Sequence, residues 1–343
     1  MRISAKYDAL IIGGGIYGSY LASILSESKK VLLVEKNSSL MRGASFSNQT
    51  RIHEGPHYLK SMETARASKI YSDKLKTLFP EIIVPNSHHF YILPDHYNAI
   101  SEDEFLAKCD LLSVSVKKVN EKILNIPHRV FDLMESNYDP SLLRESIIRR
   151  LNFRNLEIKL SSFVVSSVMR DEEFSLTLSD NSNVTATSVY NTTYANINDI
   201  NKLFDMPLLT TVTEFVEIPV IYHRMFKKKA MTVIDGPFLS LTPFGSTKLH
   251  NLTSVVYSHH SGGSNLENRD TYINFIMKQF KVMVLPAYQD FVLHGSILSK
   301  KITLLHEDHN DSRPLVIKKN GNYTQILGTK VGNILEMSEL IND

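Results

Sequence analysis

The 343-residue chain holds one cysteine, Cys109, and no tryptophan. A lone thiol excludes an internal disulfide and any cysteine-built zinc site, and it suits a reducing compartment. A charge excess of either sign is also missing. Lys and Arg number 38 against 36 Asp and Glu, which leaves no global field for nucleic acid or an anionic membrane. No apolar run approaches the roughly 20 residues of a membrane-spanning helix. Residues Met1 to Lys6 lead straight into a strand pattern, which predicts no cleavable signal. Internal repeats, low-complexity tracts and Pro/Ser linkers are lacking too. What these absences leave is a cytoplasmic enzyme acting on a small molecule, with no nucleic-acid partner and no integral membrane segment. The length suffices for two modest domains, and the pattern carries no information on oligomeric state.

What is present begins at Tyr7-Asp8-Ala9-Leu10-Ile11-Ile12-Gly13-Gly14-Gly15-Ile16-Tyr17-Gly18. Residues 7–12 have the mostly apolar run of a strand buried on both faces. Gly13, Gly15 and Gly18 then supply G-x-G-x-x-G, and a helix-compatible run follows from Ser19 to Leu25. The first glycine allows a tight turn, the second lets a pyrophosphate approach the backbone, and the third lets helix pack on strand. Unpaired N–H groups and the positive dipole end of the helix face the phosphates. A second apolar strand, Val31 to Val34, ends in Glu35, 22 residues after Gly13. That is the distance at which an acidic side chain holds a ribose hydroxyl. The pattern predicts dinucleotide binding and leaves open which dinucleotide.

A polar connection, Lys36 to Gln49, leads into Thr50-Arg51-Ile52-His53-Glu54-Gly55-Pro56-His57-Tyr58, whose composition suits a site-lining segment. Helices are predicted at about 59–78 and 98–109, with a strand at 88–93 between them. Asp139-Pro140-Ser141 is a helix start. Short strands follow at Leu156–Leu160, Phe163–Met169, Phe174–Leu178 and Val184–Tyr190, the last two joined by a turn at Asp180 to Asn183. Antiparallel strands are expected at Thr210–Pro219, Met231–Ile234, Phe238–Thr242 and Leu249–Ser258. A helix at 270–285, strands near 297–305 and 322–328 and a helix at 334–341 finish the chain.

The order and spacing of two linked motifs resemble the D-amino-acid-oxidase-like (DAO) superfamily of FAD-dependent oxidoreductases, which includes glycine and sarcosine oxidases, L-2-hydroxyglutarate dehydrogenases and glycerol-3-phosphate dehydrogenases. The first motif is the glycine fingerprint with Glu35. The second is the loop Gly43 to Asn48 running into Ile52-His53-Glu54-Gly55-Pro56-His57-Tyr58, which is similar to the I-H-x-G-x-x-Y of the dehydrogenases. Weaker likenesses lie at Val165 to Val168, at Val189 to Tyr194 and at Gly328 to Asn333. The resemblance implies an α/β fold with an α+β second domain. A Rossmann-like FAD-binding domain (1–80, 139–205 and 306–343) would be interrupted by a mostly antiparallel β substrate domain (81–138 and 206–305).

It also implies FAD as cofactor. Gly13, Gly15, Ile16, Tyr17 and Gly18 would cradle its pyrophosphate, and Glu35 with Lys36 its ribose. Val165 would contact adenine, while Gly43, Ser45, Asn48, Thr192, Thr193 and Lys330 would lie along the rest of the cofactor. Ser45 and Asn48 are equally ordinary turn formers, and Lys330 equally a surface lysine. Among candidate catalytic residues, Arg51 suits a carboxylate or phosphate or else a structural ion pair. His53 suits proton transfer or attachment of the flavin, or a structural role. Tyr257 of the second domain suits anion binding or proton uptake. The expected reaction is removal of a hydride from a C–N or C–O carbon of an amine, amino acid, hydroxy acid or polyol phosphate. The rival readings are an NAD-dependent dehydrogenase and a flavin-binding protein without turnover.

Overall fold

A computed structural model describes residues 5–58, 60–85, 88–96, 100–133, 135–234, 239–261, 269–305 and 313–342. Residues 1–4, Leu59, Asn98, Phe238 and Gly262-Gly263, where predicted segments begin or turn, lie outside the described residues.

The chain opens as a βαβ unit of β1 (Ala5–Ile12), α1 (Ile16–Leu25) and β2 (Val31–Val34). Next come α2 (Met62–Leu78), β3 (Ile83–Val84), β4 (His88–Pro94), α3 (Glu102–Leu111), β5 (Lys117–Val119), β6 (His128–Asp132) and β7 (Asn137–Tyr138). α4 (Pro140–Arg149) leads to β8 (Leu156–Lys159), β9 (Val164–Arg170), β10 (Glu173–Leu178), β11 (Asn183–Asn191) and α5 (Ile197–Leu203). A second run holds β12 (Thr211–His223), β13 (Lys229–Val233), β14 (Leu239–Pro243), β15 (Leu249–Ser254) and β16 (His259–Ser261). The remaining elements are α6 (Arg269–Met283), β17 (Phe291–Leu304), β18 (Val316–Asn320), β19 (Tyr323–Leu327) and α7 (Asn333–Asn342).

The strands make two large sheets, the two-part fold expected from the sequence. One has eight strands in the order β18-β19-β11-β1-β2-β8, with the meander β9-β10 continuing from β11. β1 runs parallel to both of its neighbours, β11 and β2, so each of its faces is covered. Ala9 and Ile11 pack with Leu21 of α1, Leu143 and Ile147 of α4 and Ile334 of α7. Leu10 and Ile12 pack with Phe174, Leu176 and Val189 on the other side. This clamps the start of α1 over the centre of the sheet.

The other sheet has nine strands, β16-β12-β15-β14-β13-β4-β6-β5, with β17 antiparallel to β12. Only β4 and β13 among the neighbouring pairs run parallel. Alternation sorts its two faces. Phe90, Ile92, Met231, Val233, Leu241 and Leu252 pack under Ile276 and Phe280 of α6. Opposite them, Tyr91, Leu93 and Phe131 pack on Phe105 and Cys109 of α3. Farther along this second face Thr232, Ser240, Thr242, Asn251 and Thr253 are buried, and they are cross-strand partners of Tyr91 and of one another.

Two differences from the sequence reading have plain physical reasons. β5, β6, β18 and α5 are short, so their pairing and packing partners, not a local pattern, define them. The apolar run predicted as one strand over Leu249–Ser258 breaks after Ser254. There the Ser258 N–H closes a turn on the Ser254 carbonyl at 2.8 Å, leaving Val255 and Val256 exposed. The following His259 and His260 belong to β16 and pair with β12.

Candidate active site

The glycine turn between β1 and α1 is closed on itself and open outward. Gly13 has φ +103°, and a methyl group there would meet the Thr192 carbonyl at 2.9 Å. A methyl group on Gly18 would lie 1.9 Å from the Gly13 oxygen, so helix and strand approach as closely as backbone allows. The Thr192 hydroxyl donates to the Gly13 carbonyl at 2.9 Å and fixes the turn. Gly15 is the N-cap of α1 and gives it no side-chain cap, and no acidic residue lies in the first turn. Ser45 Oγ accepts from the Ile16 N–H at 2.9 Å. Asn48 staples the loop, donating to the Ala44 and Ser45 carbonyls at 3.0 and 3.1 Å. Gly43 is exposed at the outer end of this loop.

Glu35 is buried at the end of β2. Its Oε2 accepts from the Gly14 N–H at 2.6 Å, and its Oε1 accepts from Asn37 N and Nδ2 at 2.7 and 2.6 Å. A carboxylate has about four acceptor positions, so one remains for a further hydroxyl. Lys36 beside it is exposed. The Ser162 N–H donates to the Glu35 carbonyl at 3.0 Å, and Val165 follows three residues later with its side chain half exposed. Thr193 donates to Asn191 Oδ1 at 2.7 Å at the end of β11.

From the loop the chain crosses the polar face of the second sheet. Gln49 Nε2 donates to Thr253 Oγ1 at 3.0 Å, Thr242 Oγ1 donates to the Gln49 carbonyl at 3.1 Å, and Asn251 Nδ2 donates to the Asn48 carbonyl at 3.1 Å. This delivers Arg51 to a buried ion pair. Its Nε and Nη2 donate to Glu135 Oε1 at 3.0 and 2.8 Å, and Nη2 also donates to the Tyr91 hydroxyl at 2.7 Å. Tyr91 in turn donates to Glu135 Oε2 at 2.8 Å. Burial disfavours the Arg51 charge, but the adjacent Glu135 carboxylate outweighs it and raises the guanidinium above its ordinary value.

Beyond Arg51 lies a narrow cleft lined by Arg51, His53, Ser68, Tyr71, Lys330 and Asn333 among others. Lys330 Nζ donates to Ser68 Oγ at 2.8 Å and sits 4.0 Å over the Tyr58 ring. Burial, with Arg313 adding to it, lowers Lys330 to about 7. Burial and the Arg51 charge push His53 well below its ordinary value and His57 down to about 3. Both imidazoles are therefore neutral, with ring centroids 5.0 Å apart. Among the described residues Arg51 Nη1, His53 Nδ1, Thr329 Oγ1 and Asn333 Oδ1 are buried without a hydrogen-bond partner. Tyr17 reaches this region from α1, donating its hydroxyl hydrogen to the Lys330 carbonyl at 2.6 Å.

Arg51, His53 and Lys330 thus come together around one cleft. Tyr257 does not join them. It packs on the α6 side of the second sheet, against Phe275 at 5.4 Å between centroids. Glu135, Tyr91 and Ser68 escaped the sequence reading. Glu135 lies 84 residues from Arg51, and nothing around it in sequence marks it as a partner.

Residues 8–210 match the family described as FAD dependent oxidoreductase (DAO). The FAD-dependent monooxygenase kojA of Aspergillus flavus is 29% identical over 92 residues, which are 26% of this chain and 22% of that protein. The chain therefore spans less than a quarter of that relative's length. Among solved structures, glycine oxidase from Geobacillus kaustophilus superposes with a TM-score of 0.78 at 12% identity, covering 99% of this chain and 94% of that one. The L-alpha-glycerophosphate oxidase of Mycoplasma pneumoniae, with FAD bound, gives 0.74 at 16% identity, covering 98% and 95%. At these identities the likeness is one of fold. Among the described residues no helix is long and apolar enough to cross a membrane.

Proposed function

The chain belongs to the DAO family of FAD dependent oxidoreductases, with FAD as its cofactor, and from that premise we propose that it removes a hydride from the C–N or C–O carbon of a small polar substrate. The residues present fit the cofactor. The N-terminus of α1, which Gly15 leaves without a side-chain cap and where Ser45 Oγ accepts from the Ile16 N–H, offers its following N–H groups to a pyrophosphate, and Glu35 keeps one acceptor position for a ribose hydroxyl. The partnerless polar atoms of Arg51, His53, Thr329 and Asn333 include donors and acceptors, as the carbonyls and imide N–H of a flavin ring require.

In this reading Gly13, Gly15, Ile16, Tyr17, Gly18 and Ser45 hold the pyrophosphate. Glu35 and Lys36 hold the adenosine ribose, with Val165 toward adenine. Gly43, Asn48, Thr192, Thr193 and Lys330 hold the remainder. The domain limits inferred from sequence are proposed with it, supported by the joining of β4–β6 to β12–β17 in one sheet.

Bound FAD supplies the acceptor for the hydride and its two electrons. Lys330 contributes a cation where negative charge accumulates. His53, held neutral, offers its partnerless Nδ1 as a hydrogen-bond partner to the substrate oxygen or nitrogen, and the proton released as the carbonyl or imine forms passes to solvent, because burial and the Arg51 charge disfavour an imidazolium there. Ser68 and the Tyr58 ring orient Lys330, and Arg51 carries the chain segment that bears His53. The convergence of Arg51, His53 and Lys330 on one cleft is the observation that supports this most. Anaerobic mixing of the flavin-loaded protein with amines, amino acids, alcohols and hydroxy acids tests it. Bleaching of the flavin band by a member of these classes is expected; a flavin that none of them reduces refutes the reading and favours a protein without turnover.

A further inference from the structure

We propose that the hairpin between β12 and β13, together with the start of β17 and the end of α6, docks on the surface of an anionic lipid bilayer. The surface lies at one end of the second sheet and is independent of the reaction assigned above.

The hairpin His223-Arg224-Met225-Phe226-Lys227-Lys228-Lys229 divides its side chains sharply. His223 and Phe226 are each 1% exposed and belong to an aromatic cluster. The His223 ring lies 4.8 Å from Phe226, 5.9 Å from Phe280 of α6 and 6.2 Å from Phe291 of β17. His223 Nδ1 accepts from the Met225 and Phe226 N–H groups at 3.2 and 3.4 Å, and its Nε2 donates to the Tyr288 carbonyl at 2.8 Å. The tip is therefore fixed from inside. Arg224, Met225, Lys227 and Lys228 are left exposed on its outside.

More cations stand at the same end of the sheet. Lys248 precedes Leu249, the cross-strand partner of Tyr222, and Lys281 Nζ lies 5.5 Å over the Phe291 ring; both lysines are exposed. Arg224, Lys227, Lys228, Lys248 and Lys281 outnumber the carboxylates that border the tip among the described residues, Asp290 beside His223 and Glu121 beside Tyr288. Large apolar groups are interspersed with them. Met225 is 52% exposed, Tyr222 44%, its cross-strand partner Val292 62%, and Val282 at the end of α6 61%.

Exposed apolar groups rimmed by polar ones mark a surface that a partner covers. Cations alone would suit any polyanion. Cations set around a protruding thioether, phenol and valine methyl groups suit a bilayer, where Lys and Arg meet the anionic headgroups and the apolar groups enter the boundary beneath them.

The test floats flavin-loaded full-length protein with vesicles of phosphatidylcholine alone and of phosphatidylcholine mixed with phosphatidylserine. Binding is expected to the mixed vesicles only, weakening as salt is raised. Arg224→Gln with Lys227→Gln should lower the affinity about 25-fold, at roughly fivefold per charge. Lys318→Gln with Lys319→Gln, an equal change of charge on exposed residues of β18, should leave it unaltered. Met225→Ser, which keeps the charge, should weaken binding by at least about threefold. Each variant changes an exposed side chain, and melting temperature and yellow colour are expected to match the wild type. Absence of binding to the mixed vesicles at low salt overturns the proposal, as does equal binding to both kinds. Equal losses from the two charge pairs, or none in Met225→Ser, replace it with general electrostatic adhesion. Binding to polyglutamate but not to vesicles would mean an acidic protein partner, and a concentration-dependent dimer broken by Met225→Ser would mean a second copy of the chain; either result rejects the bilayer.

Discussion

The Tyr17 hydroxyl donates to the main-chain carbonyl of Lys330 at 2.6 Å, joining residues 313 apart in sequence. The contact ties the N-terminal turn of α1 to the cleft that Lys330 lines. It depends on a glycine, because a methyl group on Gly328 would lie 2.1 Å from the Tyr17 oxygen. Tyr17→Phe removes one hydrogen bond, worth about 1 kcal/mol, and should weaken FAD binding only slightly. Gly328→Ala displaces the whole ring and should weaken it more. Flavin fluorescence titration of the two variants ranks them, and equal affinities would contradict the link.

The glycines of the fingerprint should separate by consequence. Gly18→Ala puts a methyl group 1.9 Å from the Gly13 oxygen, whereas at Gly15 the nearest atom is Ser45 Oγ at 3.3 Å. Gly18→Ala is expected to lower the melting temperature of the flavin-free protein and to abolish the yellow colour. Gly15→Ala should melt as wild type without flavin yet purify with little or none, because the added methyl group occupies the approach to the helix end. A yellow, fully loaded Gly15→Ala would refute the assignment of the pyrophosphate.

Removing one partner of the buried ion pair should be severe. Glu135→Ala leaves Arg51 charged and 1% exposed, at an expected loss of about 3–5 kcal/mol in urea unfolding. A double variant, Arg51→Met with Glu135→Met, should lose less than the single one. Additive losses would show that the two residues act independently.

Acid should act through the two buried imidazoles. His57 has its pKa lowered from 6.5 to about 3, so between these values the unfolded chain binds a proton that the folded one refuses. The resulting stability is fully present above pH 6.5 and is lost as pH falls toward 3. His57→Gln should flatten the stability profile over that window.

Lys330 acts at the other end of the scale. Its pKa falls from 10.5 to about 7 in the flavin-free protein. Between these values the unfolded chain again holds the extra proton, so stability should rise with pH from about 7 to 10.5. Lys330→Met should abolish that rise, and an unchanged slope would mean that the amine is not buried in solution.

Much of the first sheet was legible in the chain. β1, α1, β2 and the meander β9-β10-β11 carry strong periodicity, and Asp139 caps α4 by accepting from the Ser141 and Leu142 N–H groups, as its sequence context suggests. Gly13, Gly15, Gly18 and Glu35 were legible as a set because their jobs are done within one βαβ unit. Arg51 was legible as a charged residue near a site, but its partner was not. Ion pairs across 84 residues leave no local pattern. The same holds for Thr232, Ser240 and Thr253, ordinary strand residues until β4 and β13 are known to be neighbours. Tyr257 stood out by residue type alone, and the turn after β15 carries it to the far side of the sheet.

The parallel pairing of β4 with β13 joins Phe90 to Met231 and so imposes an order on the birth of the molecule. Until the chain reaches residue 229, β4 has β6 on one side and an unpaired backbone edge on the other. That edge invites pairing with a second nascent chain.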